Sequence, residues 1–439
     1  MEGLSPCHTT VFGLIVVTGL VVVSVDQLGR SYEANLSLDS SQQPSWQRPF
    51  CFSTLSRENP TTHVRGPNFD SRRIFGIRVQ LRKLRGGMAL ADAREEFVAY
   101  AAYEAKGKIK NFKYTPIELK SDEVQLRVES CGVCHSDLHQ IHNDWGGAKF
   151  PLVVGHEIVG IVEKIGSEVK DLNVGMRVGV GPQTGCCNSC HDCDRGEEQL
   201  CSKKIKSYNT PTGDPKQPHT YGGFSKNLRV KAQWAFPIPD GIPPKQAGPL
   251  LCAGITTWTP FVYNKIGKGM KVGICGFGGL GHMAVQFAAK LGCQTYVITR
   301  SPNKKAEAEK FGATGFIVST DKKQMAEHAR SFDFLLSTIS GDGVVWEEFF
   351  GLLRPDGKLC CVGLPPKITF KPNILVCNRL TFCGSYLASR SDIINMLKFC
   401  SENKVFPQIE TLPMNAENSN KALEKVEKNQ VRYRMVLYN

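Results

Sequence analysis

The stretch KVGICGFGGLGHMAVQFAAKLG, Lys271–Gly292, carries the reading of the fold. Lys271–Cys275 is a short apolar run of strand type, and Gly276-Phe277-Gly278-Gly279-Leu280-Gly281 follows it. The apolar residues of His282–Leu291 then recur with helical spacing until Gly292 stops them. GxGxxG alone also describes an ordinary glycine-rich turn. Between a buried strand and a helix it describes a dinucleotide site, because glycines let the backbone approach a pyrophosphate held at the helix N-terminus. Gly276, Gly278, Gly279, Leu280 and Gly281 are therefore expected to line such a site.

The next strand, Thr295–Thr299, selects the dinucleotide. An enzyme using NAD usually presents Asp or Glu about 20 residues beyond the glycines, to bind the ribose 2′-hydroxyl. Here Thr299 stands at that position, followed by Arg300, Ser301, Lys304 and Lys305. A guanidinium, a hydroxyl and ammonium groups without a carboxylate suit a 2′-phosphate dianion, which points to NADP(H). A helical pattern runs on to Phe311, then apolar strands are expected at Gly315–Val318, Phe332–Ser337 and Lys358–Val362. This alternation, from about Gly248 onward, is that of an α/β protein with a doubly wound parallel sheet of the Rossmann type. From about Phe97 to that point the chain is instead strand-rich, with runs such as Glu123–Glu129 and Leu152–Ile165 punctuated by Gly and Pro.

The strand-rich region holds two sets of soft metal ligands. Cys187, Cys190, Cys193 and Cys201 follow the spacing C-x2-C-x2-C-x7-C. Four thiolates on short loops can close a tetrahedral shell, which is a structural zinc site; Cys186 is surplus to it. The second set is dispersed: Cys134 beside His135, His156 beside Glu157, and Cys252. Two cysteines and a histidine leave a fourth position for water or substrate, as a catalytic zinc requires. Two Zn2+ per chain are expected.

The 439 residues allow two or three domains, and 41% hydrophobic with 22% charged residues excludes a disordered or collagen-like chain. No apolar run reaches the roughly 18 residues of a membrane-spanning helix, so stable membrane insertion is not expected. The net charge of +13 suits anionic partners, a phosphorylated cofactor among them. The basic tract at Arg72–Arg85 lacks the aromatic platform of a nucleic-acid site, and no nucleic-acid partner is expected.

Residues 1–94 read differently from the rest. Val11–Val25 is uncharged and has the length of a signal-peptide core, although no Lys or Arg precedes it. A Ser- and Arg-rich tract follows and ends in SRRIFGIRVQLRKLRGG, Ser71–Gly87. The segment is expected to be a targeting leader or disordered, or else an extension ahead of a start at Met88. Thiolate ligands and so many of the 17 cysteines left free fit a reducing compartment. The cytosol, if translation begins at Met88, or a plastid-like organelle reached through the leader, are the consistent destinations.

GVCHSDLHQ (Gly132–Gln140), VVGHEIVGIVEKIG (Val153–Gly166), the four-cysteine lobe, YGGFSK (Tyr221–Lys226), PLLCAGITTW (Pro249–Trp258) and GFGGLGH (Gly276–His282) resemble the zinc-dependent medium-chain alcohol dehydrogenases, specifically their cinnamyl alcohol dehydrogenase-like group. The likeness runs from about Phe97 to Asn439. It implies a GroES-like β-barrel catalytic domain (95–247, with the zinc lobe at 186–201), a Rossmann domain (248–385) and a C-terminal return to the catalytic domain (386–439), usually in a homodimer. It also implies that Cys134, His156 and Cys252 bind the catalytic zinc, with Glu157 an adjacent ligand and Asp137 orienting His156. His135 would face the cofactor phosphates. Thr256, Thr338, Gly363, Gly384, Ser385 and Tyr386 would surround the nicotinamide half of NADP(H).

The chemistry implied is hydride transfer between NADP(H) and a primary alcohol or aldehyde, with Ser136 and His139 passing the proton to solvent. Two departures bear on substrate. The lignin-pathway enzymes carry Trp-Ser/Asn-Tyr-Asn-Asp beside the substrate where this chain has Lys206-Ser207-Tyr208-Asn209-Thr210, and Tyr386 replaces a Phe common in that group. The expected activity is therefore a broad-specificity aldehyde reductase. The competing readings are a zinc-independent imine or alkene reductase on the same fold, and a zinc-binding interaction module built on Cys187–Cys201.

Overall fold

The computed structural model describes residues 95–439 and one short antiparallel pairing, Val16–Val17 with Leu20–Val21. Apart from that pairing, the leader-like run Val11–Val25, the basic tract Ser71–Gly87 and Met88 lie outside the described residues. Among the described residues no helix is long and apolar enough to cross a membrane.

Six strands, Lys271–Cys275, Gln294–Thr299, Gly315–Val318, Phe332–Ser337, Leu353–Cys361 and Thr381–Gly384, form a parallel sheet. Numbered from the first of these, they lie in the order 3-2-1-4-5-6. The order reverses between the first and fourth strands, and ligands of open α/β sheets bind at the carboxyl ends beside that reversal. Apolar side chains leave these strands on both faces: Val272, Ile274, Val297 and Leu336 pack with Met283 and Phe287, while Ile298, Ile317 and Leu335 pack with Trp346 and Phe350. Burial on both faces is why the strands read as continuous apolar runs rather than as alternations.

The glycine-rich turn takes the expected shape. Gly276 has φ +94°, and a Cβ there would stand 2.6 Å from Thr338 Oγ1. A Cβ at Gly281 would collide with the Gly276 carbonyl, so the helix Gly281–Lys290 starts hard against the strand end. The Gly278 Cα faces open space. The fifth strand begins at Leu353 rather than near Lys358. Arg354–Gly357 bulges out between the pairs Phe332–Leu353 and Phe334–Lys358, so a Pro-Asp-Gly turn sits inside a strand instead of before it.

A second, seven-stranded sheet joins distant parts of the chain. Glu123–Val133 lies near its middle, flanked by Glu157–Ile165, Asn227–Lys231 and the C-terminal Arg434–Tyr438, which itself pairs with Ile409–Pro413. The run Leu152–His156 does not continue the strand that begins at Glu157. Leu152 pairs with Ala102, and the Gly155 N–H donates to a side chain, Asp137 Oδ1, at 3.0 Å.

His282, fully buried at the start of the helix after the glycines, couples this architecture to pH. Its Nδ1–H donates to Gly278 O at 3.2 Å, and its Nε2 accepts from the Gln408 N–H at 3.3 Å, so both ring positions are filled by the neutral form. Burial, aided by the nearby Arg434 charge, pushes its pKa down to about 3. The unfolded chain takes up this proton near pH 6.5 and the folded chain does not, so the contribution is complete above pH 6.5 and drains as pH falls toward 3. Wild type should lose roughly 2 kcal/mol more stability than His282→Gln between pH 7 and pH 5. Urea unfolding at both pH values checks this, and parallel losses would contradict it.

Candidate active site

The helix His135–His142 presents most of the polar residues expected here. Asp137, fully buried at the third position of this helix, caps it: Oδ2 accepts from the Cys134 N–H at 2.9 Å. Its other oxygen accepts from the Gly155 N–H at 3.0 Å and from His156 Nδ1 at 3.1 Å. A carboxylate can only accept, so the His156 proton sits on Nδ1 and its Nε2 lone pair faces Cys252 Sγ, 3.3 Å away. The Tyr208 hydroxyl, buried as well, lies 3.3 Å from His156 Nδ1.

Ligand atoms of Cys134, His156, Glu157 and Cys252 all fall within 4.8 Å of one another. The hydrogen bond from Cys252, with help from His156 and Arg434, holds Cys134 well below the usual thiol range. Two thiols, one imidazole nitrogen with its tautomer fixed and a carboxylate suit a zinc ion in type and number. The lobe makes a second set. Cys187, Cys190, Cys193 and Cys201 have Sγ–Sγ separations of 3.9, 3.6 and 3.5 Å for the pairs 187–193, 190–193 and 187–201. A tetrahedron with zinc–sulfur bonds of about 2.3 Å has edges of about 3.8 Å. All fifteen cysteines among the described residues are free, so these separations are not disulfides.

Glu157 is fully buried and shares its Oε1 with the guanidinium of Arg434, while its Oε2 has no partner. Burial pushes its pKa up to about 7 against the pull of Arg434. Arg434 was not among the residues picked out from sequence, although a cation inside the apolar C-terminal run RMVLY is a signal. One face of its guanidinium meets Glu157; the other meets the glycine turn, where a Cβ on Gly279 would stand 2.9 Å from Nη1. Its Nε is buried without a partner. Arg434 thus bridges the metal-ligand cluster and the dinucleotide turn, with donor capacity to spare for an anion.

The residues expected around the adenosine phosphate cluster as well. Lys304 reaches back to donate to Phe277 O at 2.8 Å; Arg300 is exposed and Ser301 half-buried beside it. Burial and the neighbouring Arg432 hold Lys304 below the usual lysine range. Arg432 is a further cation here that sequence did not reveal. Thr338 spends its hydroxyl on Cys275 O at 3.0 Å, fixing the glycine turn. Thr257 and Thr259 return theirs to helix carbonyls, whereas half-buried Thr256 makes no such bond among the described residues. Gly363 and Gly384–Tyr386 stand at the carboxyl ends of the fifth and sixth strands, tied by Gly363 N to Ser337 O at 3.1 Å and Ser385 N to Cys361 O at 3.3 Å. His135, the first residue of its helix, is exposed.

Ser136 Oγ lies 3.6 Å from Cys134 Sγ, and His139 follows one turn later on the same helix face. His139 Nδ1 is 2.8 Å from Asp144 Oδ2, and its ring lies 5.0 Å from that of Trp145. The Asp144 carboxylate, held below its usual range by this bond, fixes the ring with Nε2 free.

Residues 120–240 match the alcohol dehydrogenase GroES-like domain and residues 279–402 the zinc-binding dehydrogenase family. The chain is 39% identical over 353 residues to the probable cinnamyl alcohol dehydrogenase 2 of Picea abies, covering 80% of this chain and 98% of that one. It is 40% identical over 353 residues to the probable cinnamyl alcohol dehydrogenase of Eucalyptus globulus, with the same coverage. The chain belongs to the zinc-dependent alcohol dehydrogenases. Within this family it falls in the cinnamyl alcohol dehydrogenase-like group, with a GroES-like domain joined to a Rossmann-type sheet. Among solved structures, a cinnamyl alcohol dehydrogenase from Sorghum bicolor superposes with a TM-score of 0.75 at 35% identity, over 78% of this chain and 98% of that one. The CAD from Helicobacter pylori, solved in complex with NADP(H), gives 0.72 at 28% identity, over 79% and 98%.

The lobe geometry gives the test of this alcohol dehydrogenase's metal content. Purified protein should hold two zinc ions per chain by elemental analysis. Cys201→Ser should hold one and melt at lower temperature; a wild-type content below two would contradict at least one of the two ligand assignments.

Proposed function

We propose that this chain is an NADP(H)-dependent aldehyde reductase of broad specificity, interconverting aldehydes and primary alcohols. The observation that carries the proposal is the Arg434 bridge, which ties the Cys134–His156–Glu157–Cys252 cluster to the glycine turn. Zinc held there supplies Lewis-acid polarisation of a carbonyl or hydroxyl oxygen. NADP(H) supplies or accepts the hydride.

The protein's own groups do the rest. Asp137 keeps His156 in the tautomer that offers Nε2. Arg434, with the helix N-terminus at Gly281, receives the pyrophosphate. Arg300, Ser301 and Lys304, with Arg432 behind them, receive the 2′-phosphate, and Lys304 exchanges its bond to Phe277 O for a phosphate oxygen. Thr256 keeps a free hydroxyl toward the nicotinamide end, and Thr338, Gly363 and Gly384–Tyr386 shape that end. In the oxidative direction Ser136 Oγ takes the alcohol proton and hands it toward His139 Nε2 at the exposed edge, while Asp144 steadies Nδ1. Reduction runs the same path in reverse.

A zinc-independent reductase would have no use for an intact Cys2His set with its histidine aligned by a buried carboxylate. An interaction module built on the lobe leaves the second ligand set and the glycine turn without a purpose. The thiol-rich ligand sets and free cysteines support a reducing compartment, and the family resemblance supports a homodimer. Arg300→Ala combined with Lys304→Ala should raise KM for NADPH at least tenfold while changing that for NADH little, the loss of roughly one charge-assisted contact. Steady-state kinetics with both cofactors check this; equal changes would overturn the NADP(H) assignment.

A further inference from the structure

Resting on the assignment of zinc to Cys134, His156 and Cys252, we infer that Tyr208 is a positioning residue of that metal site. Its hydroxyl, a second acceptor at His156 Nδ1, holds the imidazole with Nε2 aimed at the other ligands and so retains the metal. The neutral ring of His156 has one proton to place, and Asp137 Oδ1, 3.1 Å away, fixes it on Nδ1. The Tyr208 hydroxyl lies 3.3 Å from the same nitrogen, so its oxygen receives a share of that N–H. Both side chains are buried, with their ring centres 5.8 Å apart, so the hydroxyl is turned to the imidazole and not to solvent. A Phe would fill the same space; what the tyrosine adds is an oxygen at the outer nitrogen of a metal ligand.

The residues on either side of Tyr208 keep that oxygen in place. Ser207 donates its hydroxyl to Gly181 O at 2.7 Å and its N–H to Pro182 O at 2.9 Å. Asn209 donates Nδ2 to Gly147 O at 3.1 Å, and its Oδ1 accepts from the Lys149 N–H at 3.0 Å. Its own N–H donates to Thr220 O at 3.0 Å. Asn209 has φ +62°, a left-handed conformation that Asn tolerates better than most residues, and it turns the chain directly after the tyrosine. Tyr208 is thus anchored through its neighbours to three other stretches of chain, and its hydroxyl is left for His156. At the opposite end of the imidazole, Nε2 lies 3.3 Å from Cys252 Sγ, so any swing of the ring about the Asp137 bond moves the atom that would bind the metal. Two acceptors on one N–H restrict the swing that a single hydrogen bond allows, and partners of this kind tune how firmly a ligand holds its metal.

The test withdraws zinc from the full-length enzyme in solutions whose free zinc is set by a chelator, and counts the bound metal by elemental analysis. Wild type should lose two ions, one of them absent from Cys134→Ser. In Tyr208→Phe, which keeps the ring and removes the oxygen, that ion should be lost at about tenfold higher free zinc, while the ion of the four-cysteine lobe is retained as in wild type. Ser207→Ala deletes the neighbouring buried hydroxyl and controls for general loosening of the segment; it should retain both ions as wild type does. Cobalt(II) exchanged into the site adds a spectroscopic check: its visible absorption should shift in Tyr208→Phe and hold in Ser207→Ala. Unchanged zinc retention or an unshifted cobalt spectrum in Tyr208→Phe, or the same losses in Ser207→Ala, overturns the inference and leaves the zinc assignment standing. Wild type that holds zinc in the lobe alone overturns the assignment and this inference with it.

Discussion

A single buried carboxylate organises the chemical end of this molecule. Asp137 accepts three hydrogen bonds, from Cys134 N–H, Gly155 N–H and His156 Nδ1, and so ties the Gly155–His156 segment to the start of its own helix. Removing this carboxylate would leave three buried donors without their acceptor. The consequence reaches beyond stability. Cys134 is set at the start of its helix, His156 has its tautomer chosen, and the strand Glu157–Ile165 begins at the residue where Glu157 can turn back toward the cluster. The zinc ligands are thus positioned by a group that is not itself a ligand.

A second buried ion pair carries that order into the Rossmann-type sheet. Arg434 comes from the last strand of the chain, yet it lies between Glu157 and the Gly279 turn. The return of the C-terminal strand to pair with Glu123–Val133 is what brings it there. Glu157 therefore has two opposed calls on its charge, the guanidinium and the thiol cluster, and a pKa near 7 places its ionisation within reach of either. Glu157 Oε2 and Arg434 Nε are among the buried polar atoms left without a hydrogen-bond partner.

Much of this was legible in the sequence because it depends on local spacing. The strand Lys271–Cys275 and the glycines after it, the strands Gly315–Val318 and Phe332–Ser337, and the four-cysteine lobe each follow from neighbours within a dozen or so residues. Cys134, His156 and Cys252 were legible by residue type and by resemblance, but their assembly depends on Asp137 and Gly155, whose bonds cross between segments. Arg432 and Arg434 were not found: the cation at the start of the apolar run RMVLY is a local signal, but no local pattern says which site a distant strand brings it to. The Leu152–His156 stretch reads as strand from its β-branched residues, yet its amide at Gly155 is taken by a side chain. Arg354–Gly357 reads as a break, yet the ladder closes around it.

The account rests on Cys134, His156 and Cys252 holding a metal that the reaction needs, beside a dinucleotide site that does not need it. Replacing Cys134 by Ser separates the two. The account predicts protein with one zinc ion per chain that binds NADPH within a few-fold of wild type, by fluorescence titration, and oxidises none of it when an aldehyde is added. Aldehyde-dependent NADPH oxidation at the wild-type rate by protein holding a single zinc would contradict it.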